Sequence, residues 1–181
     1  MNLMDNKVIL VPLFVSLFLS AIRDIRFQKI PNWLTYPTMI VSIAYHSSFN
    51  GFRGLLFSIE GVCLGIALLI LPYLFGGMGA GDVKLLGAVG GVLGPKGVFV
   101  AFLFTAIVGG IYALVLLAVN GYLKETINRY KTILMTFLLS KKFFYIPIPE
   151  RKKSPRLCYG IAIAVGTLIS LFGRSVIDSV F

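Results

Sequence analysis

The run Gly54-Leu55-Leu56-Phe57-Ser58-Ile59-Glu60-Gly61-Val62-Cys63-Leu64-Gly65-Ile66-Ala67-Leu68-Leu69-Ile70-Leu71-Pro72-Tyr73-Leu74-Phe75 carries a single ionisable acid in 22 residues. A helix needs about 20 apolar residues to cross the hydrocarbon core of a bilayer, so this stretch reads as a span. Outward from it, similar runs occupy Val8–Ile22, Trp33–Tyr45 with a bend expected at Pro37, Gly97–Val119 and Leu157–Phe172. Pro31 suits the start of the second run, where its missing N–H removes no helical bond. The glycine-rich piece Gly76–Gly94 adds a short apolar helix of about 13 residues, roughly 20 Å long. The expectation is an all-α, polytopic membrane protein of about six transmembrane helices, with residues 1–181 forming one integral-membrane domain.

Composition agrees. Of the 181 residues 57% are hydrophobic and only 13% charged, with a mean hydropathy of +0.90. Soluble domains carry roughly 25% charge, and disordered or disulfide-rich chains are excluded by the apolar excess and by two cysteines, Cys63 and Cys158. These form no C-x-x-C pair, which removes a zinc ribbon. The first apolar run has no small-residue cleavage pattern before Arg23, so it reads as a retained span rather than a signal peptide.

Seventeen Lys and Arg against seven Asp and Glu give a formal charge of +10. In a membrane chain this excess sets orientation rather than nucleic-acid binding. With the N-terminus outside, thirteen basic residues fall on the cytoplasmic side and four (Lys7, Arg53, Lys96, Arg174) outside. The one sizeable polar connection is a basic cytoplasmic loop at about 120–156. Within it Ile133–Leu139 is too short to span and suits an interfacial helix on anionic lipid.

Asp5, Glu125, Glu150 and Asp178 lie in tails or the polar loop and read as solvated. Glu60 lies inside a span, where an ionisable group is a functional candidate, but its expected place is toward the outer face. Asp24 directly follows the first span and Asp82 opens the fourth apolar segment. Two intervening spans return the chain to the same face, so both carboxylates should meet at the cytoplasmic boundary. Two carboxyls sharing one proton can activate water and protonate a leaving group. Asp82 at a helix N-terminus would favour the anion and Asp24 near a C-terminus the acid, an asymmetry that Arg23, Arg26 and Lys84 could reverse.

Gly76, Gly77, Gly79 and Gly81 cost a helix roughly 1 kcal/mol each and suggest an open backbone against which a peptide could lie as an added strand. Gly87 and Gly91 suit close helix packing. The glycines before Lys84 are no phosphate cradle, since the Lys-Ser/Thr pair and preceding strand are missing. His46 is the only histidine, expected at the outer boundary, so a His triad or His-rich metal site has no support.

Asp24 followed after five residues by Ile30-Pro31-Asn32, and then Gly79-Ala80-Gly81-Asp82-Val83-Lys84-Leu85, resembles the prepilin peptidases, membrane aspartic proteases of the Gly-x-Gly-Asp type. The resemblance extends over nearly the whole chain and implies cleavage of type IV prepilins or related precursors at the cytoplasmic face of the plasma (inner) membrane. The cut would fall just before the hydrophobic segment and remove a short basic leader. By that match Asp24 and Asp82 are the catalytic pair. Pro31, Asn32, Gly79, Gly81 and Lys84 fall to substrate binding or backbone positioning, and no metal or other cofactor is called for.

Longer relatives carry an N-terminal cysteine-bearing insertion and methylate the new N-terminus. This sequence has no such insertion and no four-cysteine cluster, which implies peptidase activity without N-methyltransferase activity. Its size resembles the short peptidases of Flp (tight-adherence) pilus systems, and archaeal preflagellin peptidases share the plan. The alternatives are an ion-coupled transporter using the Asp pair and a non-catalytic scaffold for pilus assembly. A transporter predicts midplane carboxylates and paired half-repeats, neither of which the sequence shows.

Overall fold

A computed structural model describes residues 7–121, 128, 131, 135 and 158–180. The expected interfacial helix at Ile133–Leu139, apart from residue 135, and the side chains of Asp5, Glu125, Glu150 and Asp178 lie outside the described residues. Four long helices are present, α1 (Lys7–Phe27), α2 (Asn32–Leu74), α3 (Ala80–Val119) and α4 (Tyr159–Val180), and no strand occurs among the described residues. The first three are long and apolar enough to cross a membrane, and α4 carries a shorter apolar part, Tyr159–Gly173.

Among the described residues four long helices therefore stand where separate helices were expected, and the count of six spans is not supported. The physical reason lies in single glycines that replace two expected loops. α2 would be about 65 Å long if straight, twice the hydrocarbon thickness. It breaks instead at Gly51 (φ 56°, ψ −140°), and α3 breaks at Gly94 (φ 71°, ψ −179°). The break in α2 reverses the chain. Ser42 and Ser58 stand 16 residues apart, about 24 Å along a straight helix, yet their hydroxyl oxygens are 3.4 Å apart. A side chain at Gly54 would run into the His46 carbonyl. Only glycine lets the two arms of α2 lie this close.

The first arm of α3 is the core. Apart from Lys84, every residue from Asp82 to Gly94 is buried, as expected of a helix apolar on all sides. Its crossing with the second arm of α2 is backbone on backbone, because a methyl at Gly61 would strike the Gly90 carbonyl and one at Gly90 the Gly61 carbonyl. Gly87 meets Met39 and Ile66, and Gly91 meets Ser42 and Val62, so the expected packing glycines do pack. Their counterpart Gly61-x-x-x-Gly65 was not singled out in the sequence.

The α3 break leaves carbonyls to satisfy. The helical partner of the Gly91 carbonyl would be the N–H of residue 95, which is proline. Ser58 supplies the missing donor at 2.8 Å, and His46 Nε2–H donates to the Val92 carbonyl at 3.2 Å. That bond fixes the His46 tautomer, leaving a buried Nδ1 that meets no partner among the described residues. His46 is fully buried, edge-on to Phe57 and Tyr45. Glu60, by contrast, is exposed on the outer face of α2.

By contact density, the residues through Gly109 and from Cys158 onward form one compact unit, and Gly110–Leu157 form another. Within the first unit α1 packs against α4 and α2. Its inward stripe of Ile9, Leu13, Leu17 and Ser20 steps along one face and ends on Asp24.

Candidate active site

Asp24 occupies the last turn of α1 and is 6% exposed. The helix stops because Gln28 turns left-handed (φ 51°), its N–H still bonded to the Asp24 carbonyl at 2.9 Å. The same carbonyl accepts a weak bond from Cys158 Sγ at 3.7 Å. The Asp24 side chain reaches across to α4, where Oδ2 accepts the Gly160 N–H at 2.8 Å. The first N–H groups of a helix have no partner within it, so Asp24 caps α4 from another element.

Asp82 sits in the first turn of α3 and is 8% exposed. The preceding glycines make a compact turn rather than an extended platform. Gly76 (φ 73°) donates to Tyr73 at 2.9 Å and Gly77 to Pro72 at 3.0 Å, the paired bonds of a Schellman closure of α2. Two residues later Gly79 caps α3, with Asp82 Oδ2 accepting the Gly79 N–H at 3.0 Å. An acceptor at the third helical position reaching back to the cap is half of a capping box. The other oxygen, Oδ1, is buried and meets no hydrogen-bond partner among the described residues. No open backbone remains for strand addition, because both glycine pairs are absorbed in helix ends.

The two carboxylates come together around Ile30. A Cβ at Gly81 would lie 2.8 Å from Ile30 Cβ, and one at Gly160 would lie 3.2 Å from Ile30 Cδ1 and 3.0 Å from Asp24 Oδ2. Ile30 thus touches the residue before Asp82 and the residue that holds Asp24. Asp24 is near enough to act electrostatically on Asp82. Each carboxylate is met by a helix N-terminus, Asp82 by its own and Asp24 by that of α4. Helix dipoles therefore do not distinguish them as the sequence suggested.

The remaining motif residues hold this end of the helices together. Pro31 caps α2 with an extended backbone (φ −75°, ψ 142°), and its carbonyl accepts the Leu34 N–H. Lys84 Nζ donates to Asn32 Oδ1 at 3.0 Å and lies 5.0 Å from the centre of the Tyr36 ring, tying the first turn of α3 to that of α2. The recorded bonds of Lys84 run to α2, not to either carboxylate. Gly160 was missed in the sequence, where its only signal was a glycine opening the last apolar run. Among the described residues no three His, Cys, Asp or Glu side chains cluster as metal ligands. Two buried carboxylates near each other, one with an oxygen that meets no partner among the described residues, have the chemistry to accept and return a proton from water.

The sequence profile of the type IV leader peptidase family matches residues 11–114, which include Asp24, Asp82 and the motifs around them. Over 103 residues the chain is 31% identical to the Prepilin leader peptidase/N-methyltransferase of Bacillus subtilis (strain 168), covering 55% of this chain and 41% of that protein. Over 151 residues it is 26% identical to Prepilin peptidase EppA of Methanocaldococcus jannaschii, covering 76% and 40% respectively. The matched regions thus span about two-fifths of the length of these curated relatives. No solved structure matches the chain.

Proposed function

The chain belongs to the type IV leader peptidase family, and from that premise we propose that it is an aspartic endopeptidase that removes the leader of prepilin-like precursors at a membrane boundary, with Asp24 and Asp82 as its catalytic carboxylates. The observation that carries this reading is the pairing of a buried, partner-free Asp82 Oδ1 with an Asp24 carboxylate held beside it by Gly160. Between them the pair holds one proton. The ionised member takes a proton from water as its oxygen bonds to the scissile carbonyl carbon. The protonated member gives its proton to the amide nitrogen as the C–N bond breaks, leaving a new carboxyl and a new amine. Such pairs titrate as a unit, and neither residue is assigned a fixed role.

Gly79, Gly81, Pro31, Asn32 and Lys84 act in this reading by positioning the helix ends that carry the pair. Neither metal nor cofactor enters the scheme, and the partners are the precursor and the lipid bilayer. The site faces the cytoplasm across the plasma (inner) membrane, supported by the thirteen-to-four bias of basic residues and by the reversal of α2 at Gly51. Cleavage without N-methylation and action on Flp-like prepilins are the finer parts of the proposal; the first is supported by the lack of a four-cysteine cluster among the two cysteines present.

Co-expression with a prepilin carrying its leader tests it. The unsubstituted chain should produce a leader-length mobility shift, and Asp24→Asn and Asp82→Asn should each slow it by about 10²- to 10⁴-fold, the usual contribution of a positioned acid or base. Full cleavage by either variant would overturn the two-carboxylate scheme.

A further inference from the structure

A cavity of about 530 Å³ opens between α1 and α4. Its walls include Phe14, Phe18 and Ala21 of α1 and Ala164, Val165 and Leu168 of α4. Phe18 stands 67% exposed at the rim while Ala164 is buried at the floor. Every residue lining it is apolar. The groove ends at the candidate active site, for Ala21 lies one turn before Asp24, and Ile161, also in the lining, follows Gly160. From Phe14 to Asp24 it runs about 15 Å along the helix axis.

We propose that this groove receives the apolar helical segment of the substrate next to the scissile bond and so delivers that bond to Asp24; the proposal rests on the leader-peptidase reading. A lining with no polar side chain offers nothing to a bare peptide backbone. Whatever peptide lies there must satisfy its own N–H and C=O groups, which at membrane depth requires a helix. The helix must end where the groove ends. At that point the last lining residues, Ala21 and Ile161, stand beside the Asp24 turn and Gly160, so a peptide that leaves the groove emerges next to Asp24. The polar side of the cut then emerges at the boundary. An acyl chain is at home on any lipid-facing surface of the molecule, but a segment that must be presented to Asp24 is served by the groove that terminates on it.

The test uses the full chain in phosphatidylethanolamine and phosphatidylglycerol vesicles with one probe, a precursor joining a short basic leader to an apolar segment of about 20 residues. p-Benzoylphenylalanine replaces Phe18 or Val165, or Ile40 on the exposed face of α2 as the control, each in the Asp82→Asn chain so that the precursor stays uncut during irradiation. Crosslinks from positions 18 and 165 to the apolar segment should exceed those from position 40 by about tenfold, the ratio given by ~1.4 kcal/mol of preferential binding. Equal yields at the three positions, crosslinks to lipid alone, or crosslinks to a second copy of the chain would overturn the groove assignment. Cleavage of the same precursor by the chain with both aspartates intact is measured in parallel. Its absence overturns the leader-peptidase reading, whereas cleavage without groove crosslinks overturns the groove alone.

Discussion

Asp82 uses its two oxygens differently. Oδ2 completes the start of α3 by accepting the Gly79 N–H, while Oδ1 is buried with no hydrogen-bond partner among the described residues and is the oxygen the proposed scheme assigns to chemistry. The two roles separate by substitution. Asn keeps an acceptor for Gly79, so Asp82→Asn should retain the thermal midpoint of the unsubstituted chain while losing cleavage. Asp82→Ala removes the cap as well, at about 1 kcal/mol, which lowers the midpoint by roughly 2–4 °C in a chain of this size. Equal midpoints for Ala and Asn would show that the cap contributes nothing. Gly160 holds the other carboxylate. A methyl there would sit 3.0 Å from Asp24 Oδ2 and 3.1 Å from Asp24 Cβ, so Gly160→Ala should displace Asp24 with the helix intact. A displacement near 1 Å costs about 10²-fold in rate, and an unaltered cleavage rate would contradict the assignment of Gly160 as a positioning residue. Asp24 and Asp82 stood out in the sequence because carboxylates are scarce there. Gly160 did not, since its role comes from a hydrogen bond spanning 136 positions.

At the scale of elements, single residues decide where helices break and how each break is repaired. Pro95 removes the donor for the Gly91 carbonyl, and Ser58, from the second arm of α2, restores one. Ser58→Ala leaves that carbonyl buried without its bond, which should cost about 1–3 kcal/mol in thermal or denaturant unfolding. An unchanged stability would mean that another donor takes its place. The apolar runs were legible as helices because bilayer-length hydrophobicity is a strong signal. The glycine breaks were not, since Gly51 and Gly94 read locally like the many other glycines of the chain. Reading Gly76–Gly81 as open backbone failed for a related reason. Glycine permits extended chain and helix termination alike, and here the Schellman closure and the Asp82 cap chose termination.

For the whole molecule, the path between the two acidic residues is the out-and-back course that the sequence assigned to two separate spans, made here by the two arms of α2 about Gly51. The reversal of α2 at Gly51 turns the chain that leaves Pro31 back toward the same end by Phe75. Lys29 and Arg53 should therefore face opposite compartments. In a chain with Cys63→Ser and Cys158→Ser, a membrane-impermeant maleimide should label Lys29→Cys only from the cytoplasmic side and Arg53→Cys only from the other. Labelling of both from one side would contradict the topology. His46 illustrates what charge and position alone cannot reveal. It is buried with its Nε2–H on the Val92 carbonyl, 46 positions away and two residues before the break in α3.

The shared-proton scheme makes one geometric demand: in the full chain bound to an uncleavable precursor, the carboxyl oxygens of Asp24 and Asp82 must both reach a single water. A structure of that complex should place their nearest oxygens within about 5.5 Å, the span of two hydrogen bonds of roughly 2.7–2.8 Å. Carboxyls separated by more than about 7 Å, beyond the reach of two such bonds, would contradict it.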